Sequence, residues 1–286
     1  MYIRYLSNLV KVLVLVVLCC VVLGHAQTSL AASTTLTSRN DFDSGLYSST
    51  EGSSRSGQLR LQASGSFTTR VWKTPSVALG DQTSVVSDGT YLYVKVSGDN
   101  VFLRYDPVKD TWKNLAAAPR YSGQGSDMKV LNGAIYETFG GYQYEFYKYT
   151  IATDTWTRMA NMPDLMNAGG SLGTDGTNIY AIRGTATTDF WKYTVSTNSW
   201  STLSSPPATI STGGSLIYSG GYFYTPRGGN TNTFYRYSVS GGTWATMSNA
   251  PATLNSDGNI TTNGDYIYVL RGGSTNSFYR YSISGD

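Results

Sequence analysis

Histidine and cysteine are almost missing from this 286-residue chain, which has one His and two Cys. His25, Cys19 and Cys20 all precede residue 27. Residues 1–11 carry Arg4 and Lys11, residues 12–23 form an unbroken apolar run, and Gly24, His25 and Ala26 follow. A basic start, an apolar stretch and then small residues is the layout of a secretory signal peptide, with cleavage expected near Ala26 and Ala32 as a second candidate. A bilayer span takes about 20 apolar residues. This run is shorter, so no stable membrane span is expected after cleavage.

Removing residues 1–26 would leave a mature chain without thiol or imidazole. That excludes a disulfide framework, Cys or His metal sites, and nucleophilic catalysis pairing Ser or Cys with His. No metal, cofactor or catalytic residue is assigned. Charge is also scarce, at 14% of residues. Without Arg4 and Lys11, the 21 basic residues become 19 against 18 acidic ones. A nucleic-acid-binding face normally shows as a basic stripe, and the mature chain has none. The expected product is a secreted, extracellular or cell-surface protein, with the periplasm as another destination, and a monomer.

Aromatics and glycine are plentiful, with 23 Tyr, 6 Trp, 9 Phe and 31 Gly. Residues 27–66 are rich in Ser, Thr and Gly and read as a linker. Within it, alternating Leu59, Leu61 and Ala63 suit a short half-buried strand. Residues 67–286 are almost wholly β in pattern. A Phe-x-basic-Tyr strand recurs with Phe102, Phe146, Phe190, Phe234 and Phe278, each 44 residues after the last. Trp112, Trp156, Trp200 and Trp244 keep the same spacing, and Pro119, Pro163, Pro207 and Pro251 follow them.

Tight-turn pairs Asp88-Gly89, Asn132-Gly133, Asp175-Gly176 and Asn263-Gly264 precede or interrupt the alternating strands. Asp110, Asp154, Asn198 and Gly242 mark a second turn where left-handed backbone is expected. No window has a helical period. Four strands in 44 residues predict a propeller blade.

The Gly140-Gly141, Gly228-Gly229 and Gly272-Gly273 pairs each end an apolar strand, with a Tyr eight residues on and a Trp position seven beyond that. Over residues 67–286 this resembles the kelch repeat. Gly184-Thr185 keeps one glycine of the pair, and Val96-Ser97 keeps neither. The resemblance implies an all-β, kelch-type β-propeller.

Five Phe-x-basic-Tyr strands and five Trp strands are present, but they are staggered. The Trp expected at position 288 is missing, and Trp72 stands alone at the other end. Five four-stranded blades closed by the N-terminal Trp72 strand are therefore expected, the alternative being an open or truncated part of a six- or seven-bladed ring. Closing so long a loop costs on the order of 5 kcal/mol. Burial of an indole of about 200 Å² at roughly 25 cal/mol per Å² returns a similar amount.

Arg183, Arg227 and Arg271 precede the glycine positions in three consecutive units, where earlier units have Phe139 and Lys95 or Val96. They suggest a one-sided cationic arc, or repeat residues bonding loop carbonyls in their own blades. The basic residues Arg104, Lys148, Lys192, Arg236 and Arg280 suit solvent-facing strand positions whose stems cover apolar surface.

In kelch-like propellers, the loops joining strands two and three and the loops between blades share a binding face. Carried over, the first set supplies Asp99, Asn100, Tyr142, Tyr144, Asn230, Asn232, Thr275 and Asn276. The second supplies Arg120, Asn167, Thr209, Asn255 and Ser256. Amides, hydroxyls, tyrosines and arginines together suit a shallow pocket for a glycan, an acidic sugar or an extended peptide. The expected function is noncatalytic recognition of an extracellular glycan or a protein or peptide partner. One alternative is a carbohydrate enzyme resembling a sialic-acid mutarotase or lyase, with Glu137, Glu145, Asp127 or Asp189 as acid–base candidates. Another is a structural surface-assembly domain.

Overall fold

Short runs of β-branched and aromatic residues between Asx-Gly pairs favour hairpins over any other local structure. The computed structural model describes residues 73–80, 83–256 and 258–285. Residues 1–72, including the signal-like segment, the linker and Trp72, lie outside the described residues.

Blade 1 comprises β1 (Ser84–Ser87), β2 (Leu92–Lys95), β3 (Phe102–Asp106) and β4 (Thr111–Asn114). Blade 2 comprises β5 (Asp127–Leu131), β6 (Ala134–Thr138), β7 (Phe146–Thr150) and β8 (Thr155–Arg158). Blade 3 comprises β9 (Ser171–Thr174), β10 (Ile179–Ile182), β11 (Phe190–Thr194) and β12 (Ser199–Thr202). Blade 4 comprises β13 (Ile217–Ser219), β14 (Tyr222–Pro226), β15 (Phe234–Ser238) and β16 (Thr243–Met247). Blade 5 comprises β17 (Asn259–Thr262), β18 (Tyr266–Leu270) and β19 (Phe278–Ser282), followed by a 3-10 turn at Ile283–Gly285.

Every sheet is an antiparallel meander in sequence order. The first strands β1, β5, β9, β13 and β17 succeed one another as neighbours. The fold is a five-bladed β-propeller. Four blades show the four strands that the repeat predicts, and the fifth shows three among the described residues. The closing strand assigned to Trp72 falls outside them.

The turns follow their chemistry. Asn132 and Gly133 have φ of 50° and 74°, the left-handed pair that a two-residue hairpin needs. The second turn is left-handed at every expected position: φ is 53° at Asp110, 54° at Asp154, 49° at Asn198 and 65° at Gly242. Asp and Asn tolerate this region because their short polar side chains bond locally.

Aromatic side chains lock each blade to the next. Phe102 of blade 1 meets Tyr149 and Trp156 of blade 2 with ring centroids 4.9 and 5.1 Å apart. Phe146 meets Tyr193 and Trp200 at 4.9 and 5.0 Å, and Phe190 meets Tyr237 and Trp244 at 4.8 and 5.0 Å. Burying a Phe of this kind contributes about 2 kcal/mol, and edge-to-face contact adds to it.

A polar clamp accompanies each aromatic contact. Tyr149 Oη donates to Asp154 Oδ1 at 2.7 Å, which also accepts the Ala116 amide of the preceding connection at 2.8 Å. The Ala116 carbonyl in turn accepts the Trp156 indole at 3.0 Å. Ala160, Tyr193, Asn198 and Trp200 repeat this arrangement. Lys73 takes the place of Ala116 at the first boundary, donating its amide to Asp110 and accepting from Trp112.

Candidate functional site

Strand pairing aligns the row that contains the arginines. Phe102, Phe146, Phe190 and Phe234 pair with Lys95, Thr138, Ile182 and Pro226. The residue after each belongs to the arginine row, so blades 1 to 4 contribute Val96, Phe139, Arg183 and Arg227. Lys95 therefore sits one position earlier, on the opposite side of its strand.

The three arginines do not form one cationic arc. Arg183 donates Nε to the Leu165 carbonyl, 18 residues earlier, at 3.0 Å. Its Nη1 lies 2.9 Å from both Asp164 and Asp189, which offset its charge. Arg271 repeats the first bond, Nε to the Thr253 carbonyl at 3.0 Å and again across 18 residues. The equivalent acceptor for Arg227 is Thr209. Among the described residues, the Arg227 guanidinium makes no hydrogen bond or ion pair, although Thr209 lines the same pocket.

That pocket has a volume of about 180 Å³ and is lined by Ala186, Thr209, Ser211, Arg227, Gly228, Gly229 and Thr231. It lies between the strand-two-to-three loops of blades 3 and 4 and the connection between them. Glycine makes the site possible at Gly228, where φ is 68° and a Cβ would stand 2.4 Å from the Thr212 carbonyl oxygen. The connection folds against this loop through Ser211 N to Arg227 O at 2.9 Å and Gly229 N to Thr212 O at 2.9 Å. An arginine sharing a pocket lining with Thr209, Ser211 and Thr231 suits a carboxylate or another planar anion.

Other residues expected at the site are dispersed. Arg120 is paired with Glu145. Asn167 is buried, and its backbone carbonyl accepts the Gly170 amide at 2.7 Å, so its place is in the loop's framework. Asn232 donates to the Ala250 carbonyl at 3.3 Å. Asn255 is half-buried, and its backbone amide donates to the Arg271 carbonyl at 3.0 Å. Asn230 and Asn276 are exposed. Tyr142 and Tyr144 are exposed at 63% and 43%, and Tyr121, which the loop assignment missed, at 61%.

The carboxylates considered for acid–base chemistry do not converge on Arg227. Asp127 bonds Lys129, Ser171 and the Leu172 amide, while Asp189 holds Arg183 and Glu145 holds Arg120. Glu137 is fully buried, with both oxygens lacking a hydrogen-bond partner among the described residues. Burial pushes its carboxyl up to about 8, against the opposing pull of Lys95. Lys95 is likewise fully buried, which lowers its ammonium, with Glu137 acting the other way. Lys95 Nζ donates to the carbonyls of Val96 and Asp99. The pair belongs to the seam between blades 1 and 2.

Sequence spacing contained a signal for the missed Tyr121, which stands at the position of Leu165, Thr209 and Thr253. Ser211 and Thr231 carried no comparable mark, since Ser and Thr are common throughout the loops.

No protein-family model matches the chain, and no curated protein matches it in sequence. A solved structure titled "Structure of YjhT" is similar to it, with a TM-score of 0.57 and 14% identity over 66% of this chain and 71% of that one. A likeness at that identity concerns the fold, and it agrees with the β-propeller built by these five sheets.

Proposed function

We propose that this chain is an exported, kelch-type recognition module that binds a carboxylate-bearing carbohydrate or peptide without turning it over. The observation that carries the reading is that Arg227 lines this pocket with a guanidinium unpaired among the described residues, whereas Arg183 and Arg271 are held by carbonyls or carboxylates. A cation left available in a concave polar site is suited to a planar anion, because two parallel hydrogen bonds then replace its water. No carboxylate among the described residues lines this pocket, which favours binding over proton transfer there.

Calorimetric titration of the purified chain with glucuronate, oligogalacturonate, N-acetylneuraminate and an acidic peptide tests the proposal. Binding of at least one, reduced about tenfold or more by Arg227→Gln and little changed by Arg271→Gln, is the expected result. Absence of binding across the set, or equal binding by the Arg227 variant, would remove this pocket as the site. Chemical conversion of a bound saccharide that Arg227→Gln abolishes would overturn the noncatalytic assignment.

A further inference from the structure

The blade 2 counterpart of the Arg227 pocket has lost its charge and gained aromatic surface. Along the repeat, Phe139 replaces Arg227, Gln143 replaces Thr231, and Tyr121 replaces Thr209. Phe139 is fully buried, so it contributes no polar group to the face. The outer residues are Tyr121, Tyr142 and Tyr144, exposed at 61%, 63% and 43%. The only other exposed large apolar residue among those described is Val108, in the turn between β3 and β4.

The two loops carrying these tyrosines are fastened together. Gln143 Nε2 donates to the Tyr121 carbonyl at 3.1 Å, and the Gly141 amide donates to the Gln124 carbonyl at 2.8 Å. Gly123 and Gly141 approach so closely that a Cβ on Gly123 would stand 2.7 Å from the Gly141 Cα. The Tyr142 amide is bonded to the Met166 carbonyl at 2.8 Å, and the Tyr144 carbonyl accepts the Met162 amide at 2.9 Å. The rings are thus presented by a braced backbone.

Tyr142 has φ of 62°. Its counterparts Ala186, Asn230 and Ser274 share the left-handed conformation at 55°, 57° and 54°, so the repeat imposes it. A bulky aromatic is a poor choice for such backbone, and a side chain so exposed gains little packing in return. An outlier of this kind points to function.

We propose that Tyr121, Tyr142 and Tyr144 form a stacking platform for a neutral saccharide. Flat tyrosine faces match the C–H face of a pyranose, and their hydroxyls and the exposed Gln124 amide match its hydroxyl edge. The nearby charges, Arg120 and Glu145, are paired with each other, which leaves the platform without net charge and without preference for an acidic sugar. Aromatic and amide groups, with no exposed aliphatic side chain among them, favour a sugar over an apolar protein surface. The platform does not depend on an anion at Arg227.

Affinity electrophoresis of the purified chain in gels containing xyloglucan, hydroxyethyl cellulose, galactomannan or pullulan tests this. Retardation by at least one neutral polysaccharide is expected, with affinity at least tenfold weaker in Tyr142→Gly and in Tyr121→Ala, and unchanged in Arg227→Gln. Tyr142→Gly should melt at or above the wild-type temperature, since glycine accepts the same φ; a tyrosine kept for packing would give a lower one. No retardation by any of the four gels, or retardation that survives the Tyr121→Ala/Tyr142→Gly/Tyr144→Ala combination, overturns the platform. Retention only by an acidic polysaccharide such as polygalacturonate, lost with Arg227→Gln, would also overturn it while supporting the pocket.

Discussion

The Trp156 indole donates to the Ala116 carbonyl at 3.0 Å across the boundary of blades 1 and 2, while Asp154 accepts the amide of the same Ala116. One alanine thus has both backbone groups satisfied by the neighbouring blade. Trp156→Phe retains ring contacts with Phe102 and Tyr149 but leaves the carbonyl without its donor. A loss of about 1–2 kcal/mol in chemical denaturation is expected.

The same clamp predicts acid sensitivity. The Ala116 amide bond, aided by Tyr149 Oη, holds the Asp154 carboxyl below its ordinary range. A depressed carboxylate contributes stability above its unfolded pKa, near 4, and loses it as pH falls through the folded value. Asp154→Asn, which copies the Asn198 clamp of blade 3, should therefore show a shallower fall in melting temperature between pH 5 and pH 3. Parallel acid profiles for variant and wild type would contradict this.

Blade 4 makes the clamp differently. Gly242 has no side chain, and Ser204 Oγ instead donates to the Gly242 carbonyl at 2.6 Å while the Ser204 carbonyl accepts Trp244 Nε1 at 2.8 Å. Ser204→Ala should cost about 1 kcal/mol. Adding Gly242→Asp should recover it, because Asp110 and Asp154 occupy this turn at similar φ and accept the facing amide. A double-mutant cycle reads the coupling directly.

Glu137 makes stability depend on pH in the opposite sense. The unfolded chain ionises Glu137 near pH 4.5, whereas the folded chain holds the proton up to about pH 8. The folded state then binds more protons, so the contribution is complete below about 4.5 and is lost as pH rises through 8. Glu137→Gln should flatten this decline. Lys95→Met, which removes the opposing cation, should cost little at pH 5 and roughly 3 kcal/mol at pH 9, as expected for a buried charge without a partner. Denaturation midpoints at the two pH values decide it.

Arg183 and Arg227 share a repeat position but differ in their partners. Arg183→Gln breaks one carbonyl bond and two partly exposed ion pairs, with an expected loss of about 1 kcal/mol. Arg227→Gln should stay within about 0.5 kcal/mol of wild type, since this half-buried side chain has no hydrogen bond or ion pair among the described residues to lose. Equal destabilisation by both would show that Arg227 has a structural partner.

Much of the fold was legible because its determinants are local or recur at one spacing. Asn132-Gly133 specifies a hairpin through backbone sterics, and Asp110, Asp154 and Asn198 tolerate the left-handed turn by the same means. Phe102, Phe146 and Phe190 return at equivalent places in successive blades, so their shared interlocking could be expected from recurrence. The candidate site was less legible. Arg183 and Arg227 occupy the same repeat position, but Asp164 and Asp189 stand close only to the former. Tyr121 joins Tyr142 and Tyr144 only when the connection after blade 1 folds against the blade 2 loop.

The 44-residue spacing alone was enough to specify blades, turns and aromatic contacts, because each unit repeats the same short-range backbone chemistry and each neighbour supplies the same packing surface. Which polar groups remain available was decided by the tertiary structure. That outcome depends on electrostatics and packing between loops distant in sequence, where one carboxylate or carbonyl within reach occupies an arginine and its absence leaves a pocket. Glu137 is the buried case: its residue type marks it as an acid, but the seam between two blades determines when it carries charge.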